Sequence, residues 1–401
     1  EHNFETSRVK VTGVATDGGN PVAFPAVSGW RTNGDVHTAT ISYSADAKYS
    51  FDIEYTDRAG NISADYNLDE FIIDQTAPVL EITGVEDKSA NNGEVVPIVS
   101  YSDTNFNGNQ VSIKLTGANR GPVELNGSFS DAPNGQVYTF KNFEELKEND
   151  DIYTLTATLA DFAGNETSKT IIFSVNRFGS VYVFADALKN IEGTFIKDEI
   201  DVILTETNVD SLKAETIRVK MTKNGTPTDL VEGTDYTVTA TGGNGKWSQY
   251  EYIIHKSLFA GDGRYTVSLY SEDNAGNINE NIDETKKAEI SFGVDKTAPV
   301  IVPIDFESGE QYPVDNKPVT VTVNDNLVLD GATIYLNGKE VEYEVDGENY
   351  TFNVNSSNSK QHVEVLAKDA AGNEYTKEIK DFLVTTNMFV RWYNNTPLFI
   401  G

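Results

Sequence analysis

The feature that most restricts this chain is a motif that returns four times. Asp57-Arg58-Ala59-Gly60-Asn61 is matched by Asp161-Phe162-Ala163-Gly164-Asn165, by Asp273-Asn274-Ala275-Gly276-Asn277 and by Asp369-Ala370-Ala371-Gly372-Asn373. The copies lie about 100 residues apart, the size of one small domain, so the 401 residues read as four tandem copies of one fold. Ahead of each motif apolar residues alternate: Phe51 and Ile53; Leu155, Ala157 and Leu159; Val267 and Leu269; Val363 and Val365. A period of two marks a strand with one buried face. Asp suits the first position of a type I turn, and Gly supplies the left-handed residue that completes a bulged hairpin. A returning strand follows, for example over 71–73 or 170–173. No segment offers an amphipathic helix longer than about three turns, and the stretch 141–147 is at most a short helical crossover. The expectation is an all-β chain.

A second signature stands eleven residues before the motif aspartates, at Asp46, Asp150, Asp262 and Asn358. Three residues after the first three come Tyr49, Tyr153 and Tyr265, whereas the fourth copy has Gln361. A Tyr at this strand start resembles the tyrosine corner of immunoglobulin-like sandwiches, whose hydroxyl bonds back to the main chain. Two positions on, where antibody domains place a core Cys, stand Phe51, Leu155, Val267 and Val363. The front half of the repeat recurs as well. Ser102-Asp103-Thr104-Asn105, Thr205-Glu206-Thr207-Asn208 and Val323-Asn324-Asp325-Asn326 each follow a β-rich run and precede another strand.

The joints Asp74-Gln75-Thr76-Ala77-Pro78 and Asp295-Lys296-Thr297-Ala298-Pro299 should be short and semi-rigid, because Pro fixes its own φ and extends the residue before it. The joint near 176–179 lacks that motif. Domains are expected over 1–76, 77–176, 177–296 and 297–386, followed by an aromatic tail or stem over 387–401. The strand that opens the middle of each later copy begins near Arg8 in the first, so that domain is expected to be incomplete at its N-terminus, without its first two strands.

Charge removes several function classes. With 62 acidic against 31 basic side chains the formal net charge is −31, which repels nucleic acid and anionic lipid. No uninterrupted apolar run of about 18 residues is present, so this fragment is expected to make no membrane contact of its own. Cysteine is absent, which excludes disulfides and Cys-ligated zinc. His2, His37, His255 and His362 are scattered over different copies, and no nucleophile elbow, phosphate-binding loop or zinc-protease helix occurs. No catalytic residue is assigned, and the chain is read as not an enzyme.

The Thr-Ala-Pro joints together with the Asp-x-Ala-Gly-Asn turns resemble those of bacterial immunoglobulin-like repeat families in large surface proteins and adhesins. The resemblance implies tandem immunoglobulin-like β-sandwiches in an elongated array at a bacterial cell surface, anchored by a segment outside this fragment. It implies a non-catalytic stalk or adhesin meeting a host or bacterial surface protein or glycan. Two alternatives stand beside it: a module dedicated to one host protein, such as an immunoglobulin, and an accessory region of a carbohydrate-active enzyme. No cofactor is required. Calcium is the candidate ion, since Asp74, Asp161, Asp273 and Asp295 lie in loops expected near domain junctions and hard cations want oxygen ligands. Trp247, at the end of the glycine-rich insertion of the third copy, is the candidate ligand contact; otherwise it fills its own core.

Overall fold

Residues 2–280 and 287–394 are described in the computed structural model of the chain. They fall into two compact units, one of Glu1–Phe178 with Gly243–Trp247 and Asn274–Asn277, the other of the remaining residues.

In the first unit, the segment around the second motif forms two four-stranded antiparallel sheets. One runs in the order Gly121–Val123, Val111–Gly117, Asp151–Ala160, Glu166–Val175; the other runs Gly127–Ala132, Gly135–Phe140, Ile98–Ser102, Val79–Thr83. Along Asp151–Ala160 every second side chain is buried, which places Tyr153, Leu155, Ala157 and Leu159 in the core and the intervening threonines outside. Leu80, Ile82, Val99 and Tyr101 approach them from the facing sheet. Each fully buried Leu or Val contributes roughly 2 kcal/mol by leaving water. The result is a two-layer sandwich with one core between the layers.

The segment around the first motif is built differently. It has one four-stranded sheet, Asn20–Pro21, Val9–Asp17, Ala47–Tyr55, Tyr66–Ile73, and a separate hairpin of Ser28–Asn33 with Val36–Thr40. Its fully buried core is Ala15, Ala47 and Tyr49.

The second unit holds two further sandwiches. The first pairs the sheet Val181–Phe184, Val202–Asn208, Ser248–Ile254, Tyr236–Thr241 with one that includes Glu289–Val294, Gly263–Glu272, Arg218–Lys223 and Thr226–Asp229. The second pairs Val300–Ile304, Asn316–Asn324, Asn349–Asn355, Glu344–Asp346 with Glu374–Val384, Gln361–Asp369, Leu329–Leu336, Lys339–Glu340. In each, a short early strand crosses over and pairs in parallel with the last strand: Phe195–Ile196 on Glu289–Val294, and Gln311–Tyr312 on Glu374–Val384. The fold is all-β, made of tandem immunoglobulin-like sandwiches.

Helices are few and short. The crossover expected over 141–147 is instead extended chain leading into a 3-10 turn at Lys147–Asn149, too short to hold a helical nucleus. In the tail, Met388–Asn394 is a two-turn helix, with Asn387 Oδ1 accepting the N–H groups of Phe389 and Val390 at its start; residues 395–401 lie outside those described. No described helix is long and apolar enough to cross a membrane.

Candidate metal centres

The repeated turn shows why its residues are fixed. Asp57 Oδ1 accepts the backbone N–H of Asn61 (2.8 Å), and Oδ2 accepts the Asn61 side-chain amide (2.7 Å). Asp161 holds Asn165 in the same two ways (2.9 and 2.8 Å), and Asp369 holds Asn373 (2.7 Å for both). The Asn61 amide, then its backbone N–H, keep the Asp57 carboxyl below its usual range. Gly60, Gly164, Gly276 and Gly372 have φ of 87–92°, a left-handed conformation that a side chain would strain. The Asn amides reach further than their own turn. Asn165 Nδ2 donates to Asp74 O (3.1 Å), Asn373 Nδ2 to Asp295 O (2.8 Å), and Asn277 Nδ2 to Asn176 O (2.8 Å).

The tyrosines sit at the other end of the preceding strand. Tyr49, Tyr153 and Tyr265 donate their hydroxyls to Ala45 O (2.8 Å), Asn149 O (2.8 Å) and Gly261 O, each four residues upstream. Gln361, where the fourth copy lacks Tyr, donates through Nε2 to Asn355 O (3.1 Å). Replacing Tyr153 with Phe should destabilise its sandwich by about 1 kcal/mol, measured by urea unfolding, because Asn149 O then loses a buried donor.

A clamp starts three residues before each corner tyrosine. Asp46 accepts the backbone N–H of Gln75 (2.9 Å) and the hydroxyl of Thr76. Asp262 likewise accepts Lys296 N–H (2.9 Å) and the Thr297 hydroxyl, and Asp150 accepts the N–H groups of Arg177 and Phe178 (3.0 and 2.9 Å). The acid eleven residues before each of the first three motifs therefore grips the chain that leaves the same repeat. The Thr76 hydroxyl chiefly lowers the Asp46 carboxyl below its usual range.

The turns also gather acids. One carboxylate oxygen from each of Asp74, Asp103 and Asp161 lies within 4.8 Å of the others, and Asp295, Asp325 and Asp369 repeat the arrangement. Asp161, Asp295 and Asp369 are almost fully buried, at 3%, 1% and 1% exposure. Asp325 Oδ1 is buried and accepts no hydrogen bond, while Oδ2 takes the N–H groups of Leu327 and Val328 (2.9 and 3.0 Å). Among the described residues no Lys or Arg pairs with any of the six. Burial, then the negative charges of Asp325 and Asp369, push the Asp295 carboxyl up to about 6; burial, with Asp74 and Asp161 nearby, also raises Asp103. Three crowded carboxylates with an orphan oxygen and no cationic side chain fit a hard divalent cation, which takes carboxylate oxygens at about 2.3–2.6 Å.

Asp273, the fourth calcium candidate, joins no such trio among the described residues. It accepts Asn208 Nδ2 (3.0 Å) and is fully buried. Beside it Glu206, at the sequence place of Asp103, is also fully buried and is solvated by hydroxyls. Oε1 accepts Ser180 (2.5 Å), Ser271 (2.6 Å) and Tyr182 (3.1 Å), and Oε2 accepts Tyr252 (2.9 Å). Burial is the main force that raises the Glu206 carboxyl, and the four hydroxyls oppose it. Sequence reasoning missed Glu206, Asp103 and Asp325 as acids with a role, although the front-half motif displayed all three. Trp247 is half-buried, grouped with the first unit, and donates Nε1–H to Asp151 Oδ1 (2.8 Å).

No protein-family model matches the chain, and no curated protein does. Solved structures resemble it at low identity. A tetra-tandem repeat from the extending region of a large adhesion protein is 17% identical, covering 96% of this chain and 94% of that one, with a TM-score of 0.38. The N-terminal eight Ig domains of Down syndrome cell adhesion molecule are 13% identical over 93% of this chain and 45% of that one, with a TM-score of 0.33. A structure from a 1.5-MDa bacterial ice-binding adhesin is 16% identical over 78% and 100%, with a TM-score of 0.25. The sheets themselves establish the class: this chain is a tandem series of immunoglobulin-like β-sandwiches.

Proposed function

We propose that the chain is a non-catalytic repeat stalk or adhesin of a bacterial cell surface, making contacts with a surface protein or glycan, and that its acidic turns take up calcium. The observation that carries this reading is the pair of matching carboxylate trios, Asp74, Asp103, Asp161 and Asp295, Asp325, Asp369. Each trio joins residues on either side of a Thr-Ala-Pro joint, so one ion would tie the end of one repeat to the front of the next. A cation also relieves the repulsion that crowding imposes, at a surface whose net charge is already −31. The acidic excess is then both a solubility device and a ligand supply.

Calcium titration of the chelator-treated chain tests it. Two ions should bind, each stabilising the repeats that hold it by about 2.7 kcal/mol at a hundredfold excess over Kd. The double variant Asp103→Asn, Asp325→Asn should lose the binding heat and the rise in Tm together. A wild-type chain with neither heat nor a shift in melting would remove calcium from the proposal.

A further inference from the structure

We infer that His362, Glu364 and Glu378, on the outer face of the fourth repeat, form a binding site for zinc. The inference is independent of the calcium reading, since the residues and the ligand chemistry both differ. One ring nitrogen of His362 and one carboxylate oxygen from each glutamate all lie within 4.8 Å of one another.

Strand alternation puts the three side chains together. Along Gln361–Asp369 the side chains of Val363, Val365 and Ala367 are buried in the core, so His362 and Glu364 point to the other face. Glu364 stands directly opposite Glu378 on Glu374–Val384, where the next residue, Ile379, is again buried. Like charges placed directly across a ladder repel each other, and among the described residues no Lys or Arg pairs with Glu364. The backbone at His362 is fixed on its other side. Its N–H donates to Asn337 Oδ1 (2.9 Å), and its carbonyl accepts the Asn337 N–H (2.8 Å). Facing it, the partner strand carries one extra residue between Ile379 and Phe382, and Asp381 there takes a φ of 57°. Such a bulge re-aims the side chains around it.

The imidazole supplies a second, separate observation. Its Nε2 is buried and has no hydrogen-bond partner, although the side chain as a whole keeps 38% exposure. Glu378 Oε1 is 3.7 Å from Nε2, too far for a hydrogen bond. Lys380 pairs with the other oxygen, Oε2, and leaves Oε1 turned toward the ring. With its proton on Nδ1, the ring offers Nε2 as a lone pair, and a metal ion is the partner that this buried nitrogen lacks.

The donor set selects the ion. Imidazole nitrogen with carboxylate oxygen suits zinc, whereas calcium takes oxygen ligands alone. Zinc bonds of about 2.0–2.2 Å put tetrahedral ligands roughly 3.4 Å apart, a spacing that rotation of the glutamate side chains can reach. Glu378 is 43% exposed, so the ion has an entry path and water can fill the fourth position. The trios at the turns contain no nitrogen donor, so the chain would sort hard and borderline cations to separate places.

The test is a zinc titration of the full chain in excess calcium, read from the ring nitrogen signals of its four histidines after 15N labelling. The His362 Nε2 signal should move first and be complete at one equivalent, and magnesium at the same concentration should leave it in place. By calorimetry, His362→Gln should weaken this uptake by more than about tenfold, the least that loss of a mere outer-shell partner costs a metal site. The double variant Glu364→Gln, Glu378→Gln should do the same. Zinc that leaves the His362 signal in place, or moves another histidine first, would overturn the inference. So would a His362→Gln chain that takes up zinc as tightly as the wild type, or a His362 signal that responds equally to magnesium.

Discussion

Replacing Glu206 with Ala should destabilise the third sandwich by about 4 kcal/mol, the range expected when a buried ionisable group is removed and its partners are left behind. Four hydroxyls lose their acceptor at once: those of Ser180, Tyr182, Ser271 and Tyr252. Ser180, Ser271 and Tyr252 are at 1% exposure or less, so water does not readily replace the carboxylate. Glu206→Gln keeps the shape and one acceptor oxygen and should cost roughly 1–2 kcal/mol. The pH dependence has a definite sign. Burial raises the Glu206 carboxyl in the folded state above its unfolded value near 4.5, so the folded chain holds the proton more tightly. Stability from this group is greatest below the unfolded value and declines as pH rises through the folded one. Urea unfolding of the third sandwich, followed by hydrogen exchange at pH 5 and pH 8, should show the higher midpoint at pH 5, and Glu206→Gln should flatten that difference. Equal midpoints in the wild type would contradict it.

The second large effect belongs to the turns. Asp161→Ala and Asp369→Ala should each destabilise by roughly 3 kcal/mol in calcium-free buffer, since each frees two charge-assisted hydrogen bonds at a buried carboxylate. The loss extends beyond the hairpin, because the released Asn165 and Asn373 amides are the ones that hold Asp74 O and Asp295 O. Some of it is returned by relief of crowding, as Asp103 and Asp325 lose a negative neighbour. Asp57→Ala, at a turn whose Asn61 amide contacts only Asp57 itself among the described hydrogen bonds, should cost less. Denaturant melts of the three variants, resolved by hydrogen exchange at each repeat, order them. A loss from Asp57→Ala as large as that from Asp161→Ala would show that the joint contact contributes nothing.

What could be read from sequence was whatever acts locally. Asp, Gly and Asn of the turn interact over four residues, and the corner tyrosines over four, so their spacing carries their geometry. The alternation of apolar residues placed the strands for the same reason. The acids at Asp46, Asp150 and Asp262 were visible as a pattern without a purpose, because their partners lie 27–35 residues downstream. Glu206 was harder still: it is one of 62 acidic residues, and its four hydroxyl partners come from three segments, around Ser180 and Tyr182, at Tyr252 and at Ser271, that only the sandwich brings together. Trp247 was weighed as an exposed anchor or as a plug for its own core, and the indole instead bonds Asp151, which is 96 residues away in sequence.

The clamp and the trio divide the molecule's properties in a way that bears on how such chains change length. Asp46 with Gln75 and Thr76, or Asp262 with Lys296, belong to one repeat, so a whole cassette inserted or deleted carries its own fastening with it. The trios do not travel this way, since Asp74 and Asp295 precede the joints and their companions follow. An excised repeat therefore keeps its clamp but forfeits one carboxylate of a trio, and under the calcium proposal cation response is a property of neighbours rather than of any one copy.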